Sequence, residues 1–261
     1  IIPQNVTSIG EEAFKGCITL KKITIPESVN RIEKNSFWNC YALKSIFIPK
    51  SITHIDPSAF KCCISLSKIS VDLRNSIYDS RRGCNAIVET ETNTLIIGCK
   101  STIIPQSVTS IGKDAFAYCN GLKKITLHKK INKIGERAFF ECRLLDEINI
   151  PNSVIEIGDK AFASCTSLCD ITLSKNISEI NCSGLGRGNK VAVSVCEQPV
   201  SWKEFLTFEE KYLRGGKGAS AAKTAGGVKS AGMATMSRKV PAEITSEQTA
   251  EVKRLTEKVF K

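Results

Sequence analysis

Along most of this chain, apolar and polar residues follow one pattern that returns every 23 positions. Leu20-Lys-Lys-Ile23-Thr-Ile25 alternates apolar and polar side chains, as a short strand with one buried face requires. Pro26 predicts the end of that strand, because its nitrogen has no hydrogen to donate to a ladder. Val29 and Ile32, three apart, predict a second short extended segment that re-enters the core. Gly10, Gly112, Gly135 and Gly158 mark the turn that follows, where a positive φ would suit glycine. The stretch Ala13-Phe14-x-x-Cys17-x-x-Leu20 has three-residue spacing, which predicts one helical turn packing its phenylalanine inward.

The same frame holds at Pro3, Pro26 and Pro49, at Phe14, Phe37 and Phe60, and at Leu20, Leu43 and Leu66. It resumes at Pro105, Phe116, Cys119 and Leu122 and runs on through Phe139, Cys142 and Leu145 to Pro151, Phe162, Cys165 and Leu168. A fixed period of this length is the mark of a solenoid, in which no single coil can bury its own apolar face. One unit is irregular, since Pro49 and Pro105 are separated by one normal repeat and 33 further residues. Asn85-Ala-Ile-Val-Glu-Thr, a polar Glu91-Thr-Asn93 turn and Thr94-Leu-Ile-Ile-Gly98 predict a hairpin-like widened coil there. His128 stands where the repeat has proline and reads as structural.

These residues closely resemble the BspA-like leucine-rich-repeat family, whose repeat reads much like Ile104-Pro-Gln-Ser-Val-Thr-Ser-Ile-Gly112 followed by Asp114-Ala-Phe-Ala-Tyr-Cys119. The irregular stretches Tyr78-Asp-Ser, Cys84-Asn-Ala-Ile and Asn93-Thr-Leu-Ile-Ile-Gly-Cys99 resemble a segment seen between such repeats. The expected fold is thus a leucine-rich-repeat solenoid over residues 1–182, β-rich with short helical turns, with the wide coil at 72–104. The resemblance implies secreted or surface-exposed proteins of bacteria and some protists that act in adhesion and protein binding. It names no ligand.

In this register Leu20, Ile23 and Ile25 point inward, so the residues between them form an open face. Coil by coil these are Lys22 and Thr24; Ser45 and Phe47; Lys68 and Ser70; Lys124 and Thr126; Glu147 and Asn149; Asp170 and Thr172. The face passes from basic in the early coils to acidic in the last two, and it is the expected site for a protein partner. Phe47 is either its apolar anchor or a cover for a neighbouring coil.

Twelve cysteines add no zinc pattern, and no metal site is expected. Cys17, Cys40, Cys63, Cys119, Cys142 and Cys165 share one repeat position and predict a ladder of small buried thiols. Stacked coils are close enough for a disulfide, but its geometry is demanding, and free thiols are the expectation. Cys62, Cys84, Cys99, Cys169, Cys182 and Cys196 lie off that position.

Hydrophobic residues make up 42% of the 261, enough for a sizeable core, and no run of about 18 apolar residues predicts a membrane span. The formal charge of +11 divides into +5 over residues 1–182 and +6 over 183–261. A basic segment can attract nucleic acid or anionic membrane, but a solvated surface is the plainer reading, and no nucleic-acid partner is expected. The chain has no initiator methionine or signal peptide and opens inside a repeat, which reads as a fragment with an uncapped, association-prone first coil.

After Cys182 the repeat stops. A junction at Gly184-Leu-Gly-Arg-Gly188 leads to a strand-like Val191-Ala-Val-Ser-Val195 and to Phe208-Glu-Glu-Lys-Tyr-Leu-Arg214. A Gly/Ala/Lys-rich stretch, 215–232, reads as a flexible loop, and a capping box at Thr245-Ser-Glu-Gln248 opens an amphipathic helix. With Gly232-Met-Ala-Thr-Met-Ser-Arg-Lys-Val-Pro241, this segment resembles part of the D-alanine–D-alanine ligase family, of ATP-grasp fold, and suggests a partial α+β fragment over 183–261. The resemblance implies that Lys211 and Tyr212 belong to a loop closing over an active site. The family's magnesium ligands would follow Lys261, and its substrate domain would precede residue 191, where repeats stand instead. Glu33-Lys-Asn35 and Glu91-Thr-Asn93 mimic a metal motif but lie inside repeat units. The expectation is therefore a non-catalytic binding module without cofactor, ATP and Mg²⁺ being implied only for a complete ligase. The alternatives are a truncated or fused ligase and a chimeric fragment with no single function.

Overall fold

The computed structural model describes residues 2–168 without a break and, beyond them, residues 170–173, 176–177, 179–180 and 192–195. Lys211, Tyr212, the 215–232 loop and the thiols Cys169, Cys182 and Cys196 lie outside the described residues, as does the expected ligase-like segment except for one strand at Ala192–Val195. Two families of short parallel strands form the walls of a solenoid. One family follows the leucine: β3 (Ser45–Ile48) pairs with β5 (Lys68–Val71), and β10 (Lys124–Thr126), β12 (Glu147–Asn149), β14 (Asp170–Leu173) and β16 (Ala192–Val195) form a second sheet. The other follows the proline: β1 (Ser8–Ile9), β2 (Arg31–Ile32) and β4 (His54–Ile55) form one sheet. A seven-stranded sheet continues that wall with β6 (Tyr78–Asp79), β7 (Ala86–Glu89), β8 (Thr94–Gly98), β9 (Ser110–Ile111), β11 (Lys133–Ile134), β13 (Glu156–Ile157) and β15 (Glu179–Ile180). In the regular coils the register equals the sequence period, as in Ile9↔Ile32, Ile32↔Ile55 and Ile125↔Ile148.

The third side corrects one expectation. The Ala-Phe-x-x-Cys segment is a run of turns rather than a helical turn, because left-handed φ recurs in it: at Asn35 and Asn39 in one coil, at Arg137 and Glu141 in another, and at Cys62 in the coil before the hairpin. Backbone N–H groups alternate in direction as a result. Ala13, Lys15 and Cys17 donate back along the chain to Gly10, Glu12 and Phe14, whereas Glu12, Phe14 and Gly16 donate to Lys34, Ser36 and Trp38 of the next coil. A helix would spend every one of these donors within its own coil and leave the coils unlinked here. The phenylalanines consequently stack face to face, Phe14–Phe37–Phe60 and Phe116–Phe139–Phe162, with centroids 5.1–5.2 Å apart. Phe37, Phe116, Phe139 and Phe162 are fully buried, each contributing about 2–3 kcal/mol of apolar burial.

A second correction concerns the glycines. Gly10, Gly112, Gly135 and Gly158 do not have positive φ; among the described glycines only Gly16 and Gly83 do. Close backbone approach is what selects glycine in the later coils. A Cβ on Gly135 would lie 2.8 Å from the Gly112 carbonyl carbon, and one on Gly158 would lie 2.4 Å from the Glu136 nitrogen. Gly10 has open space around it.

The irregular unit is an antiparallel hairpin, β7–β8, that also pairs in parallel with β9 and so rejoins the regular wall. It divides the core. Ile87 and Ile97 pack with the coils before it, while Ala86, Val88 and Leu95 pack with those after it. We call these two groups of coils the first and second stacks. Asn75, 23 residues after Ile52, closes the first stack. Its buried amide donates to the Pro49 and Ile52 carbonyls (3.0 and 2.9 Å) and accepts from the Ile77 and Tyr78 N–H groups. All its hydrogen-bonding capacity is thereby used.

Gly158→Ala should destabilise the chain by about 1–3 kcal/mol, because the obstructing atoms are backbone, whereas Gly10→Ala should leave stability unchanged or slightly raised. Denaturant unfolding followed by circular dichroism measures both; equal losses would show that backbone approach is not the constraint.

Candidate functional site

The alternating strand that follows each leucine carries its even positions outward. Lys22, Thr24, Phe47, Lys68, Lys124, Thr126, Glu147 and Asn149 are exposed, with Ser45 and Ser70 half-buried beside them. Their inward neighbours Ile46, Ile48, Ile69, Val71, Ile125 and Ile148 are buried. Register places Thr172 beside Asn149 on β14, although the side chains of Asp170 and Thr172 lie outside the described residues. Phe47 leaves 49% of its surface open, flanked in register by Ser70.

The sequence reading missed Ile103, which is 73% exposed. Ile103-Ile104-Pro105 repeats the register of Phe47-Ile48-Pro49, two residues before the proline, with Ile104 buried as Ile48 is. That spacing was available as a signal, but the widened coil interrupts the count from the preceding leucine. The expected drift from basic to acidic is also partly cancelled. Lys124 donates to Glu147 at 2.6 Å across adjacent strands, and this pair, largely solvated, raises the Lys124 pKa through its hydrogen bond first.

The cysteine ladder is a structural device. Cys40, Cys63, Cys142 and Cys165 donate their S–H to the carbonyls of Phe14, Phe37, Phe116 and Phe139, one coil earlier, at 3.0–3.2 Å. Each of those carbonyls already accepts the N–H of its own coil's cysteine. The thiol thus occupies the second lone pair of a carbonyl inside the wall. Burial pushes the thiol pKa up, to about 11 for Cys40 and about 12 for Cys165. Cys17 has no coil before it among the described residues and is exposed, and Cys63 and Cys119 are half-buried. His128 is structural too, its Nε2 lying 2.8 Å from the Pro105 carbonyl while Nδ1 accepts the Lys130 N–H.

Where the hairpin replaces a regular coil, the turn side is short of a layer. Gly98 donates to Ala115 as a phenylalanine would, and the Phe116 ring fills the space a Gly98 side chain would need. A cleft remains between Phe60–Cys63 and Asp114–Cys119, with room for little more than water. Lys61 and Asp114, both nearly buried, meet across it at 3.0 Å, and Arg137 reaches the other Asp114 oxygen at 3.1 Å. This triad ties the two stacks together. Among the described residues no group of three or more His, Cys, Asp or Glu side chains is placed to hold a metal, and no helix is long and apolar enough to cross a membrane.

A family model described as the BspA type leucine rich repeat region matches residues 1–86 and 94–189, in six copies. The gap between the matched segments falls within the hairpin. Among solved structures, a leucine rich cell surface protein from Faecalibacterium prausnitzii is 24% identical with a TM-score of 0.59, over 77% of this chain and 60% of that one. The pneumococcal vaccine antigen PcpA is 24% identical with a TM-score of 0.61, over 74% and 49%. A leucine-rich repeat protein from Eubacterium ventriosum is 26% identical with a TM-score of 0.50, over 62% and 48%. The chain therefore spans between about half and three-fifths of the length of these structures, and the likeness is one of fold. No curated protein matches it.

Thiol chemistry gives a direct check. With iodoacetamide at pH 8 and peptide-resolved mass spectrometry, Cys17 should alkylate at least tenfold faster than Cys142 or Cys165, whose raised pKa values keep them protonated. Because the folded pKa of Cys165 lies above the ordinary 9.0, its thiol contributes stability in full below about pH 9, and that contribution is lost as pH rises through about 12. Uniform labelling across the ladder would refute the buried S–H arrangement.

Proposed function

This chain belongs to the BspA type leucine-rich repeat family, and from that premise we propose that it is a non-catalytic protein-binding module whose sheet face holds a partner polypeptide. The observation that carries the reading is the exposure of Phe47 and Ile103 on a face that is otherwise polar. Neither ring nor branched side chain is used by the core, whose inward positions are already filled. Apolar side chains set in a polar surround are the usual anchors of a protein interface. Phe47 stands on β3, paired in parallel with β5, so binding there orders little of the module and loses little entropy.

The site calls for no cofactor or metal, since hydrophobic contact and charge suffice for the task assigned to it. We place its action at the cell surface or outside the cell, the setting that the sequence resemblance implies. The buried thiols Cys142 and Cys165 suit either redox environment, because their S–H groups are already committed to carbonyls and shielded from oxidant.

The test is selection of binders from a random twelve-residue peptide library on the purified chain. Peptides taken up by the sheet face should lose about tenfold or more of their affinity on Phe47→Ser or Ile103→Ser. His54→Ser, on the other strand wall, should leave them unaffected. Selected peptides that bind Phe47→Ser and Ile103→Ser as tightly as the parent would remove this face as the binding site.

A further inference from the structure

Outside the sheet face, three exposed apolar side chains line up in a ridge. Ile18, Tyr41 and Ile64 are 55%, 41% and 41% exposed. They occupy one repeat position, directly after the ladder cysteine, on three successive coils. A tight turn sets each in the same orientation, with Ile18, Tyr41 and Ile64 donating to the carbonyls two residues earlier at 2.7–2.9 Å.

The fold does not require apolar residues there. In the second stack the same position holds Asn120, Arg143 and Thr166, and Asn120 and Arg143 make the same turn (2.8 and 2.9 Å). The ridge therefore ends at the hairpin, and only the first stack bears it.

We propose that this ridge is a second docking surface, separate from the sheet face, and that its occupant is an acidic amphipathic helix of a partner protein. Two observations select that chemistry. The first is charge. Lys21 and Lys44, three residues beyond Ile18 and Tyr41, are exposed, as is Lys22. None of the three takes part in an ion pair among the described residues. In the second stack Lys124, at the repeat position of Lys22, is paired with Glu147 of the next coil, and the position of Lys21 and Lys44 holds Lys123 and then Asp146.

The second observation is spacing. Neighbouring coils are 5.1–5.2 Å apart at the phenylalanine stack, close to the pitch of an α-helix at about 5.4 Å. A helix laid along the solenoid axis thus sets one side chain of an i, i+3/i+4, i+7 stripe against each coil. An extended strand repeats its face every ~6.8 Å and falls out of step. The ridge is one residue wide, which suits a single helical stripe better than a lipid surface.

The experiment uses the full chain and fluorescence anisotropy with labelled eighteen-residue peptides. One carries a leucine stripe flanked by glutamates, a second has lysines in place of the glutamates, and a third is the acidic peptide interrupted by proline. Vesicles of phosphatidylglycerol and phosphatidylcholine form a separate arm. The acidic helix should bind about tenfold or more tighter than either other peptide, and added salt should weaken it. Ile18→Asn/Tyr41→Asn/Ile64→Asn, which copies the residue at Asn120, should abolish that preference without lowering the melting temperature. Lys21→Glu/Lys44→Glu should weaken binding and flatten its salt dependence, an independent readout if the triple variant misfolds. Phe47→Ser should have no effect, which separates this surface from the sheet face. The proposal is overturned if the chain does not prefer the acidic helix, if both ridge and lysine variants bind it unchanged, or if the ridge is needed for vesicles and not for peptide.

Discussion

The stacking of the regular coils depends on one exchange: alternate backbone N–H groups of a turn segment are donated to the coil that follows. Phe14 to Ser36, Phe37 to Ala59, Phe116 to Ala138 and Phe139 to Ala161 are the same bond made four times, at 2.7–2.9 Å. Buried backbone groups must be paired, and here the partner lies in another repeat. Left-handed residues such as Asn39 and Glu141 point the donors outward along the axis, and the stacked phenylalanines set the coil spacing. The cysteine completes the arrangement, since its S–H meets the remaining lone pair of the phenylalanine carbonyl.

The hairpin is where this exchange lapses. It keeps the proline-side wall continuous through β8 and β9, yet on the turn side it supplies only the Gly98 bond to Ala115. Two polar arrangements stand at this junction. Asn75 uses its whole amide to end the first stack, and the Lys61–Asp114–Arg137 triad bridges the missing layer. Both faces of the hairpin are buried, so it acts as a partition between two cores and not as an excursion from one.

That partition also separates two kinds of surface. The first stack shows the Ile18–Tyr41–Ile64 ridge beside Lys21, Lys22 and Lys44, whereas the second has polar residues at the ridge position and pairs Lys124 with Glu147. Recognition can be concentrated on one stack because the solenoid's core positions are independent of what its outward positions carry. Phe47 and Ile103 illustrate this, since both are exposed while Ile48 and Ile104 beside them are buried.

The solenoid, its period, the inward residues and the outward residues of the sheet face from Lys22 to Asn149 were legible in the sequence, because each follows from side-chain alternation at a fixed spacing. The widened coil was legible as a hairpin for the same reason, β-rich runs around a polar turn. Three features were decided only by the fold. The turn segment looked helical because three-residue spacing is shared by helices and by successive turns, and only the demand for bonds between coils separates them. Gly135 and Gly158 looked like positive-φ residues, yet they answer to the backbone of the coil before, 23 residues away. Ile103 escaped notice because the hairpin shifts the count from leucine while leaving the count from proline intact. In each case the deciding contact lies between coils, and a pattern read along the chain records which residues recur but not which atoms of neighbouring coils meet.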